Sequence, residues 1–411
     1  MKKINLFPHQ IKALEDTKSF KNVAYYLDMG LGKTFVGSEK LKIYNNKINL
    51  LICQKSKIDD WKEHFQKYYD YNIVIYDKKK EIPNNSVIII NYDLVWRRPS
   101  LLELKDFTLM LDESSCIKNS TSKRTKFILK LKPSNVILLS GTPVGGKYEE
   151  LHSQLKLLGW KISKKAFWSN YIETYLINIG GFKMPTVIGY KNVDRLKRKL
   201  RDHGSIFMKT EEVINLPEQI DNVIEIKNTT LYKKFVKDRL IEIKDKELVG
   251  DTSLTYMLYQ RQLASQYNSN KFATLKDLME STEDRLLIFY NFNDEMEQIK
   301  SLCKKLKKPF SVVNGEIKDL SNYEKENNSI TLIQYQAGAM GLNLQKANKI
   351  IYFGLTLSSE LFEQSKKRIH RLGQKNTCFY YYLITKDSIE EKIYKTLLER
   401  KDFTNKLFEE L

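Results

Sequence analysis

A glycine-rich hexapeptide, MGLGKT, follows a short apolar run near the amino terminus and precedes a helical pattern. Gly30 and Gly32 would let backbone N–H groups point at phosphate oxygens, and the positive end of the next helix would point the same way. In this pattern Lys33 neutralises the β- and γ-phosphates and Thr34 places its hydroxyl on Mg²⁺. The strict phosphate-loop pattern has glycine where this chain has Leu27. A glycine turn that happens to precede Lys-Thr is therefore the alternative, and a second element must decide.

Two adjacent carboxylates supply that second element. Asp112 and Glu113 end the apolar strand pattern that begins at Thr108. Hydrolysis of a nucleoside triphosphate needs one carboxylate to hold Mg²⁺, usually through water, and a second to orient and deprotonate the attacking water. We assign the metal role to Asp112 and the general-base role to Glu113. Because adjacent acids at a strand end are common, it is their pairing with the upstream loop that predicts phosphoryl chemistry.

The elements that must position these groups follow an α/β pattern. Short β-branched apolar runs alternate with amphipathic helical patterns, which predicts parallel sheets covered on both faces. The pattern occurs twice, so we predict two lobes, residues 1–227 and 228–411, each a parallel sheet flanked by helices. The predicted strands are Val23–Leu27, Ile48–Cys53, Ile73–Tyr76, Val87–Asn91, Thr108–Leu111, Val136–Leu139, Leu286–Tyr290, Phe310–Val313, Ile330–Gln334, Ile350–Phe353 and Phe379–Ile384.

Two sections between the strand patterns are rich in Lys, Leu, Tyr and Glu at helical spacing. We predict a helical excursion at residues 146–205, with a turn at Gly180-Gly181, and a helical lead-in to the second lobe at residues 229–270. The chain closes with a predicted helix over residues 388–411, which Ser388 opens in a capping-box pattern.

The charge balance points to a polyanionic partner. The chain has 69 Lys and Arg against 50 Asp and Glu, a formal net charge of +19. Such an excess attracts nucleic acid and speeds encounter with it, although a merely lysine-rich solvated surface is the alternative. We interpret the basic clusters at Lys78–Lys80, Arg97-Arg98 and Arg195–Lys199 as solvated surface rather than as specific contacts.

Cysteine usage and hydropathy indicate the compartment. Cys53, Cys116, Cys303 and Cys378 lie far apart with no C-x-x-C pair, which is typical of reduced thiols in a cytosol-like compartment. No apolar stretch follows the amino-terminal lysines, and the longest apolar runs are too short to span a bilayer. We expect a protein that acts in a bacterial or phage-infected cytoplasm without membrane binding.

Further segments accompany the loop and the acidic pair, which itself opens the octapeptide DESSCIKN. In chain order they are Phe7–Gln10, Leu51–Cys53 with Trp61–Glu63, Leu138–Pro143, Ala337–Leu344, Gln364–Gln374 and Ser388–Tyr394. Together these segments resemble the Swi/Snf-type ATPases of helicase superfamily 2, whose motifs include M-G-L-G-K-T, DEAH-x-I/L-K-N, L-[ST]-G-T-P, A-G-G-x-G-L-N-L and Q-A-x-x-R-x-H-R-I-G-Q. The resemblance covers nearly the whole chain in the family's order. The compact build is most similar to the annealing-helicase branch and to small stand-alone members from phages and bacteria.

The resemblance implies two RecA-like lobes that use ATP and Mg²⁺, with ATP bound by the first lobe and the site completed by the second. It implies Arg371 as the main arginine finger, with Arg368 assisting from a neighbouring position on one helix face. His370 would be structural, and Gln364 would report the nucleotide state. The implied nucleotide-binding residues are Gln10, Met29, Gly30, Leu31, Gly32, Lys33, Thr34 and Gln364, and the implied metal ligands are Thr34 and Asp112.

The resemblance also implies a nucleic-acid track, most simply double-stranded DNA held through its backbone and therefore salt-sensitive. Ser140 and Thr142 would couple the acidic motif to that track. The residues at family contact or coupling positions are Lys55, Ser56, Asn91, Tyr92, Ser140, Thr142, Gln336, Gly338 and Gly341.

The chain departs from the family pattern in several places. Ser115 stands where histidine is usual, which would loosen the coupling between hydrolysis and motion. Gln54 replaces a proline after the second predicted strand, and Gln334-Tyr335 replace the usual Ser-Thr. Phe207–Lys209 stands where Arg-Arg-x-Lys is expected.

Three functions follow in order of support. The first is a DNA-dependent ATPase that translocates along or remodels duplex DNA. The second is a strand-separating DNA or RNA helicase, for which the sequence offers no distinct separation pin. The third is an ATP-switched nucleic-acid-binding protein without motor activity, which only Leu27, Ser115 and Gln334-Tyr335 favour. We expect a monomer, and the sequence identifies no protein partner.

Overall fold

The computed structural model describes residues 3–77, 81–179, 182–243, 246–338 and 342–408. The basic cluster at Lys78–Lys80 and the turn at Gly180-Gly181 lie outside these residues. In chain order the strands are β1 (Asn22–Leu27), β2 (Ile48–Cys53), β3 (Asn72–Ile75), β4 (Ser86–Asn91), β5 (Phe107–Asp112), β6 (Asn135–Ser140), β7 (Ile172–Ile179), β8 (Phe182–Tyr190), β9 (Ser205–Met208), β10 (Gln219–Ile226), β11 (Leu240–Ile243), β12 (Lys246–Val249), β13 (Leu286–Tyr290), β14 (Phe310–Val313), β15 (Ile330–Gln334), β16 (Lys349–Tyr352) and β17 (Cys378–Thr385).

Helices connect most of these strands. In chain order they are α1 (Pro8–Asp16), α2 (Lys33–Tyr44), α3 (Ile58–Tyr68), α4 (Lys123–Ile128), α5 (His152–Leu157), α6 (Lys164–Tyr171), α7 (Val193–Asp202), α8 (Thr210–Val213), α9 (Thr230–Asp238), α10 (Ser253–Ala264), α11 (Ser269–Glu280), α12 (Asn293–Lys305), α13 (Ser321–Lys325), α14 (Tyr335–Gly338), α15 (Ser359–Lys366) and α16 (Ile389–Phe408). Short 3₁₀ turns lie at Lys55–Lys57, Val95–Arg97, Pro99–Glu103, Ser114–Ile117 and Tyr148–Leu151.

Two parallel sheets organise the chain. The first has the strand order β3-β4-β2-β5-β6-β1-β9, and the second has the order β10-β17-β16-β13-β15-β14. All the pairings within these two sheets are parallel. All eleven strands predicted from the sequence are present, and the prediction of an α/β fold with two parallel sheets is confirmed.

Each sheet is buried on both faces, which explains why its strands are continuous apolar runs. In β1, Ala24 and Tyr26 pack into one hydrophobic cluster, whereas Val23, Tyr25 and Leu27 pack into another on the opposite face. The central strand of the second sheet behaves in the same way, since alternate residues of β13 belong to two separate clusters. Helices cover the faces because a parallel connection must cross over the sheet.

The second compact unit runs from Asn215 to Lys401, whereas the sequence predicts that the second lobe begins at residue 228. The reason is β10, which the sequence analysis missed and which pairs in parallel with β17 of the second sheet. β10 is an edge strand with alternating exposure, so it lacks the continuous apolar run by which the other strands were predicted.

The two predicted helical sections both contain antiparallel hairpins. Residues 146–205 hold α5, α6 and α7 but also the hairpin of β7 and β8. Residues 229–270 hold α9, α10 and the start of α11 but also the hairpin of β11 and β12. A two-glycine step between β-branched runs is a hairpin signal, and the sequence carries that signal at Gly180-Gly181. Helical spacing alone missed it.

A buried ion pair anchors α11 to the last helix of the second unit. The Lys271 ammonium lies 2.6 Å from the Glu390 carboxylate, and both side chains are almost fully buried. The second carboxylate oxygen of Glu390 accepts a hydrogen bond from the Thr385 backbone at 2.9 Å. Removing one partner of such a pair leaves a buried charge without compensation.

We predict that Lys271→Met lowers the free energy of unfolding by about 3 kcal/mol, because the Glu390 carboxylate would stay buried without its cation. Lys276→Met is the matched control on the same helix, since Lys276 pairs with Glu280 while both side chains are about half exposed. That variant should cost less than about 1 kcal/mol. Urea denaturation followed by circular dichroism measures both, and equal losses would contradict the prediction.

Candidate active site

The carboxyl ends of neighbouring parallel strands bring the predicted catalytic segments to one edge of the first sheet. β6 pairs with β1 on one side and with β5 on the other. The glycine loop therefore starts at the end of β1, the acidic pair at the end of β5, and Ser140 ends β6 between them. This adjacency follows from strand order, and ligand sites of open α/β sheets lie at this edge.

The glycine loop adopts the conformation that its glycines permit. Gly30 and Gly32 have φ angles of 90° and 75°, in the left-handed region that glycine enters without cost. Gly32 directly precedes α2. The Gln10 side-chain amide donates to the Leu31 carbonyl at 3.0 Å, and a Cβ on Gly32 would lie 2.1 Å from the same nitrogen. Gln10 therefore lies directly against the loop.

The Lys33 ammonium is held at the strand edge by backbone carbonyls. Its Nζ donates to the Leu27 carbonyl at 2.8 Å and to the Asp28 carbonyl at 3.3 Å. A Cβ on Gly141 would lie 3.2 Å from this Nζ and 3.3 Å from Met29 Cγ. The segment after β6 thus closes over the glycine loop, and the absence of a side chain at Gly141 gives the lysine its room.

A contact that the sequence analysis missed fixes the start of the loop. The Asp28 carboxylate accepts hydrogen bonds from the Thr210 backbone and hydroxyl at 3.3 and 3.0 Å. Its other oxygen accepts from the Met29 backbone at 3.0 Å. Because Thr210 begins α8 beyond the edge strand β9, no local sequence pattern signals this link.

Asp112 is a half-buried carboxylate with a specific donor. The indole Nε1 of Trp61 donates to Asp112 Oδ2 at 2.7 Å. Burial raises the pKa of the Asp112 carboxyl, while the Trp61 hydrogen bond and the nearby ammonium groups of Lys33 and Lys57 oppose this rise. A nearby cation would stabilise the ionised form of this carboxyl group. Trp61 lies in a segment that matched the family, but its contact with the acid was not predicted.

Glu113 has a strained backbone and two hydroxyl donors. Its φ angle is 60°, a conformation that non-glycine residues rarely adopt and that is found at functional sites. Glu113 Oε1 accepts hydrogen bonds from the Ser140 hydroxyl at 2.5 Å and from the Ser115 hydroxyl at 3.1 Å. Ser140 Oγ also accepts from the Thr142 backbone at 3.1 Å. The acidic pair and the segment after β6 are therefore one hydrogen-bonded unit.

Magnesium fits the residues at this edge. Mg²⁺ in nucleotide sites takes one or two protein oxygens together with phosphate oxygens and water. Asp112 supplies a carboxylate, and Thr34 supplies a half-buried hydroxyl in the first turn of α2. Within the described ranges, no group of three or more His, Cys, Asp or Glu side chains could hold a metal ion. Asp112 and Thr34 have the ligand types that Mg²⁺ takes in a site completed by phosphate oxygens and water.

The predicted fingers belong to the second unit. Helix α15 ends at Lys366, and both Arg368 and Arg371 lie in the turn that follows. Arg368 is only 1% exposed, whereas Arg371 is half-buried and donates to the Leu342 carbonyl at 3.4 Å. The prediction that they share one helix face is therefore wrong, because the helix stops before either residue.

Two residues near these arginines in the sequence, Gln364 and His370, have buried side chains. Gln364 is buried on α15. The Nε2 of His370 lies 2.9 Å from the Pro217 carbonyl, and its side chain is buried. The structural role of His370 remains a prediction.

Some of the residues predicted to contact nucleic acid are exposed, and others are buried. Lys55 and Ser56 are exposed in the turn after β2, and Gln336 is exposed after β15. Gly338 ends α14, while Gly341 lies outside the described residues.

Asn91 and Tyr92, two further predicted contact residues, have buried side chains at the end of β4. Asn91 Oδ1 accepts hydrogen bonds from the backbone of Asp93 and Leu94, both at 3.0 Å. The Tyr92 hydroxyl donates to the carbonyls of Asp112 and Glu113 at 3.1 and 3.3 Å. Tyr92 thus supports the acidic pair from beneath.

Comparison with known families decides the assignment. The family model for the SNF2-related domain matches residues 21–272, and that for the helicase conserved C-terminal domain matches residues 270–373. This chain belongs to the SNF2-related family. The family match spans the glycine loop, the acidic pair and the segment after β6, so the resemblance stated from the sequence is confirmed.

Relatives of this SNF2-related chain are distant and longer. It is 25% identical to an uncharacterized ATP-dependent helicase of Mycoplasma pneumoniae, over 96% of this chain and 41% of the relative. It is 23% identical to the DNA repair and recombination protein RAD54B of Gallus gallus, over 86% of this chain and 47% of the relative. The chain therefore spans less than half the length of these curated relatives.

A solved structure, the Sulfolobus solfataricus SWI2/SNF2 ATPase core in complex with dsDNA, is 24% identical. The match covers 98% of this chain and 93% of that chain with a TM-score of 0.47. In the part of the SNF2-related chain that the structure describes, no helix is both long and apolar enough to cross a membrane.

We predict that Gly32→Ala weakens ATP binding at least about tenfold. The new Cβ would collide with the Gln10 amide, and an alanine with positive φ adds about 1 kcal/mol of strain. Isothermal titration with a non-hydrolysable ATP analogue measures the change. Gly315→Ala is the matched control, since a Cβ there meets nothing within 4 Å. Undiminished ATP binding by Gly32→Ala would contradict this account of the loop.

Proposed function

We propose that this chain is a DNA-dependent ATPase that couples ATP hydrolysis to movement along duplex DNA. The observation that carries the proposal is the hydrogen-bonded unit at the edge of the first sheet, where Ser140 donates to Glu113 and Gly141 lies against Lys33. Phosphate binding, water activation and the segment after β6 are thereby linked through direct contacts. Membership of the SNF2-related family supports the same activity.

The roles within the first unit follow from the contacts. Lys33 would leave its two carbonyl partners and neutralise the β- and γ-phosphates, while the backbone N–H groups of the glycine loop and the start of α2 receive phosphate oxygens. Gln10, which lies against the loop, would contact the adenine. The hydroxyl groups of Ser140 and Ser115 orient the Glu113 carboxylate, which would accept the proton of the attacking water.

Thr34 and Asp112 would hold Mg²⁺, which when bound neutralises charge on the β- and γ-phosphates. The Trp61 indole fixes the orientation of the Asp112 carboxylate, so that one oxygen keeps a protein donor. Tyr92 fixes the backbone of the same pair from below.

In the second unit, Arg371 would act as the arginine finger that stabilises charge in the transition state. Its partial exposure supports this choice over Arg368, which is almost fully buried. Arg368 and Gln364 would instead keep the segment around the finger in place.

DNA would bind through its phosphates. The net charge of +19 and the exposed positions of Lys55, Ser56 and Gln336 at strand ends support this. One relative is named as a DNA repair and recombination protein, which favours DNA over RNA. Phosphate contacts carry no sequence information, so we propose binding that is independent of sequence and weakens with salt.

Ser140 would couple ATP hydrolysis to the DNA-binding residues. Its hydroxyl touches Glu113 and accepts from the Thr142 backbone, so loss of the γ-phosphate changes a bond inside the loop that follows β6. We further propose a monomer that acts in the cytoplasm, a compartment in which the four free cysteines stay reduced.

We predict that Glu113→Gln lowers kcat for ATP hydrolysis by about 10²- to 10⁴-fold while ATP still binds, because the amide cannot take a proton from water. Lys33→Ala should lower ATP affinity as well as turnover. Steady-state ATPase assays with duplex DNA, single-stranded DNA, RNA and no nucleic acid measure both effects. A wild-type rate that no DNA raises would refute the proposed function.

We predict that Arg371→Ala lowers kcat by about 10³-fold, the size expected for the loss of an arginine finger. Arg371→Lys keeps the charge but loses the planar fork, so its kcat should fall between wild type and the alanine variant. ATP affinity should change little in either. If Arg371→Ala hydrolyses ATP at the wild-type rate, the assignment is wrong.

A further inference from the structure

The hairpin of β7 and β8 presents an apolar face to solvent. Tyr175 and Ile177 alternate along β7 and so lie on one face, and Met184 stands directly opposite Ile177 in the register. Their exposed fractions are 64%, 39% and 54%. Ile188, farther along β8, is also exposed. The first unit thus carries an aromatic ring and aliphatic side chains side by side on an open strand pair.

This exposure needs a reason. A two-stranded hairpin is marginally stable in water without packing on a face, and clustered apolar exposure marks a binding surface more often than chance. The base of the hairpin is anchored, because Ile172 lies in the core and Val187 and Tyr190 pack against it. Thr174 to Asn178 and Lys183 to Thr186 are exposed on both faces, so the outer part projects away from its own unit.

The surroundings of the hairpin are strongly basic. Residues 161–202 contain ten Lys and Arg but only three Asp and Glu. Lys183 is exposed on the hairpin, and Lys191, Arg195 and Arg198 are exposed on the adjoining segment and α7. Arg195 and Arg198 belong to a cluster that we interpreted from the sequence as solvated surface, and the exposed apolar face that precedes α7 is the reason to revise that interpretation. The apolar face and these cations together suit a binding partner that carries both negative charge and flat apolar groups.

We propose that the β7–β8 hairpin is a base-binding element: its Tyr175 face stacks on unpaired bases where a DNA duplex opens, while the surrounding lysines and arginines hold the phosphates. Unpaired bases present π-faces to aromatic and aliphatic side chains, whereas the bases of an intact duplex are stacked on each other. The proposal rests on the proposed DNA-dependent function and adds a preference for junctions.

Nucleic acid fits this face better than a protein partner does. Base stacking on exposed aromatic side chains within a positive groove is how single strands are bound without sequence preference. A protein partner would need to present a matching acidic surface around an apolar centre. The charge of the segment therefore favours a nucleic-acid occupant.

The test compares a forked DNA with a blunt duplex of equal length in fluorescence anisotropy. The variant Tyr175→Thr/Ile177→Thr/Met184→Thr removes the apolar face but keeps residues that favour strands. Wild type should bind the fork about tenfold more tightly than the blunt duplex, as expected for one stacked base. The variant should lose that preference while its ATPase activity with blunt duplex stays unchanged. Leu176→Thr is the matched control, because Leu176 is 56% exposed on the opposite face, and it should keep the fork preference.

Two results would overturn the proposal: equal binding of fork and blunt duplex by wild type, or an unchanged fork preference in the triple variant. Circular dichroism checks that the triple variant folds. If the triple variant does not fold, the single variant Tyr175→Ser replaces it in the test, and we expect this variant to lose part of the fork preference. A fork preference in a protein whose ATPase ignores all DNA would refute the motor function and leave the base-binding element standing.

Discussion

The parallel register of β5, β6 and β1 is the constraint on which the site depends. Because these three strands are neighbours and point the same way, the segments that follow them must meet at one edge of the sheet. The Glu113 carboxylate then lies within reach of the Ser140 hydroxyl, and Gly141 lies against Lys33. A different strand order would separate groups that are distant in the chain.

The site contains several groups whose burial or backbone strain costs folding free energy. Asp112 is a carboxylate whose pKa is raised by burial, Glu113 has a strained backbone, and Lys33 is held by carbonyl oxygens. Such arrangements persist only where the surrounding structure fixes them. Here Trp61 and Tyr92 do so from the core, and each donates one hydrogen bond or more to the acidic segment. The strained backbone of Glu113 and the raised pKa of the Asp112 carboxyl mark this edge as the candidate functional site.

The segments outside the two parallel sheets differ from the sheets in how much of their side-chain surface is buried. The two sheets are buried on both faces, so their strands are long apolar runs, whereas the outer part of the β7–β8 hairpin is exposed and has a mixed composition. That hairpin is held by packing at its base, where Ile172, Val187 and Tyr190 contact the core. This explains why the same chain has a conventional core and a projecting basic element with an open apolar face.

The sequence by itself determined the α/β class, the eleven core strands, the glycine loop and the acidic pair, because burial on both faces leaves an apolar run and phosphate chemistry needs fixed residue types. Tertiary structure decided what depends on contacts between distant segments. Trp61 meets Asp112 and Thr210 meets Asp28 through strand order, while Tyr92 turned out to be core and Arg368 to be almost fully buried. β10 joined the second sheet because it pairs with β17, and the paired residues Gln219 and Cys378 are 159 positions apart in the chain. Side-chain exposure and long-range pairing are properties of the packed chain, and no local pattern encodes them.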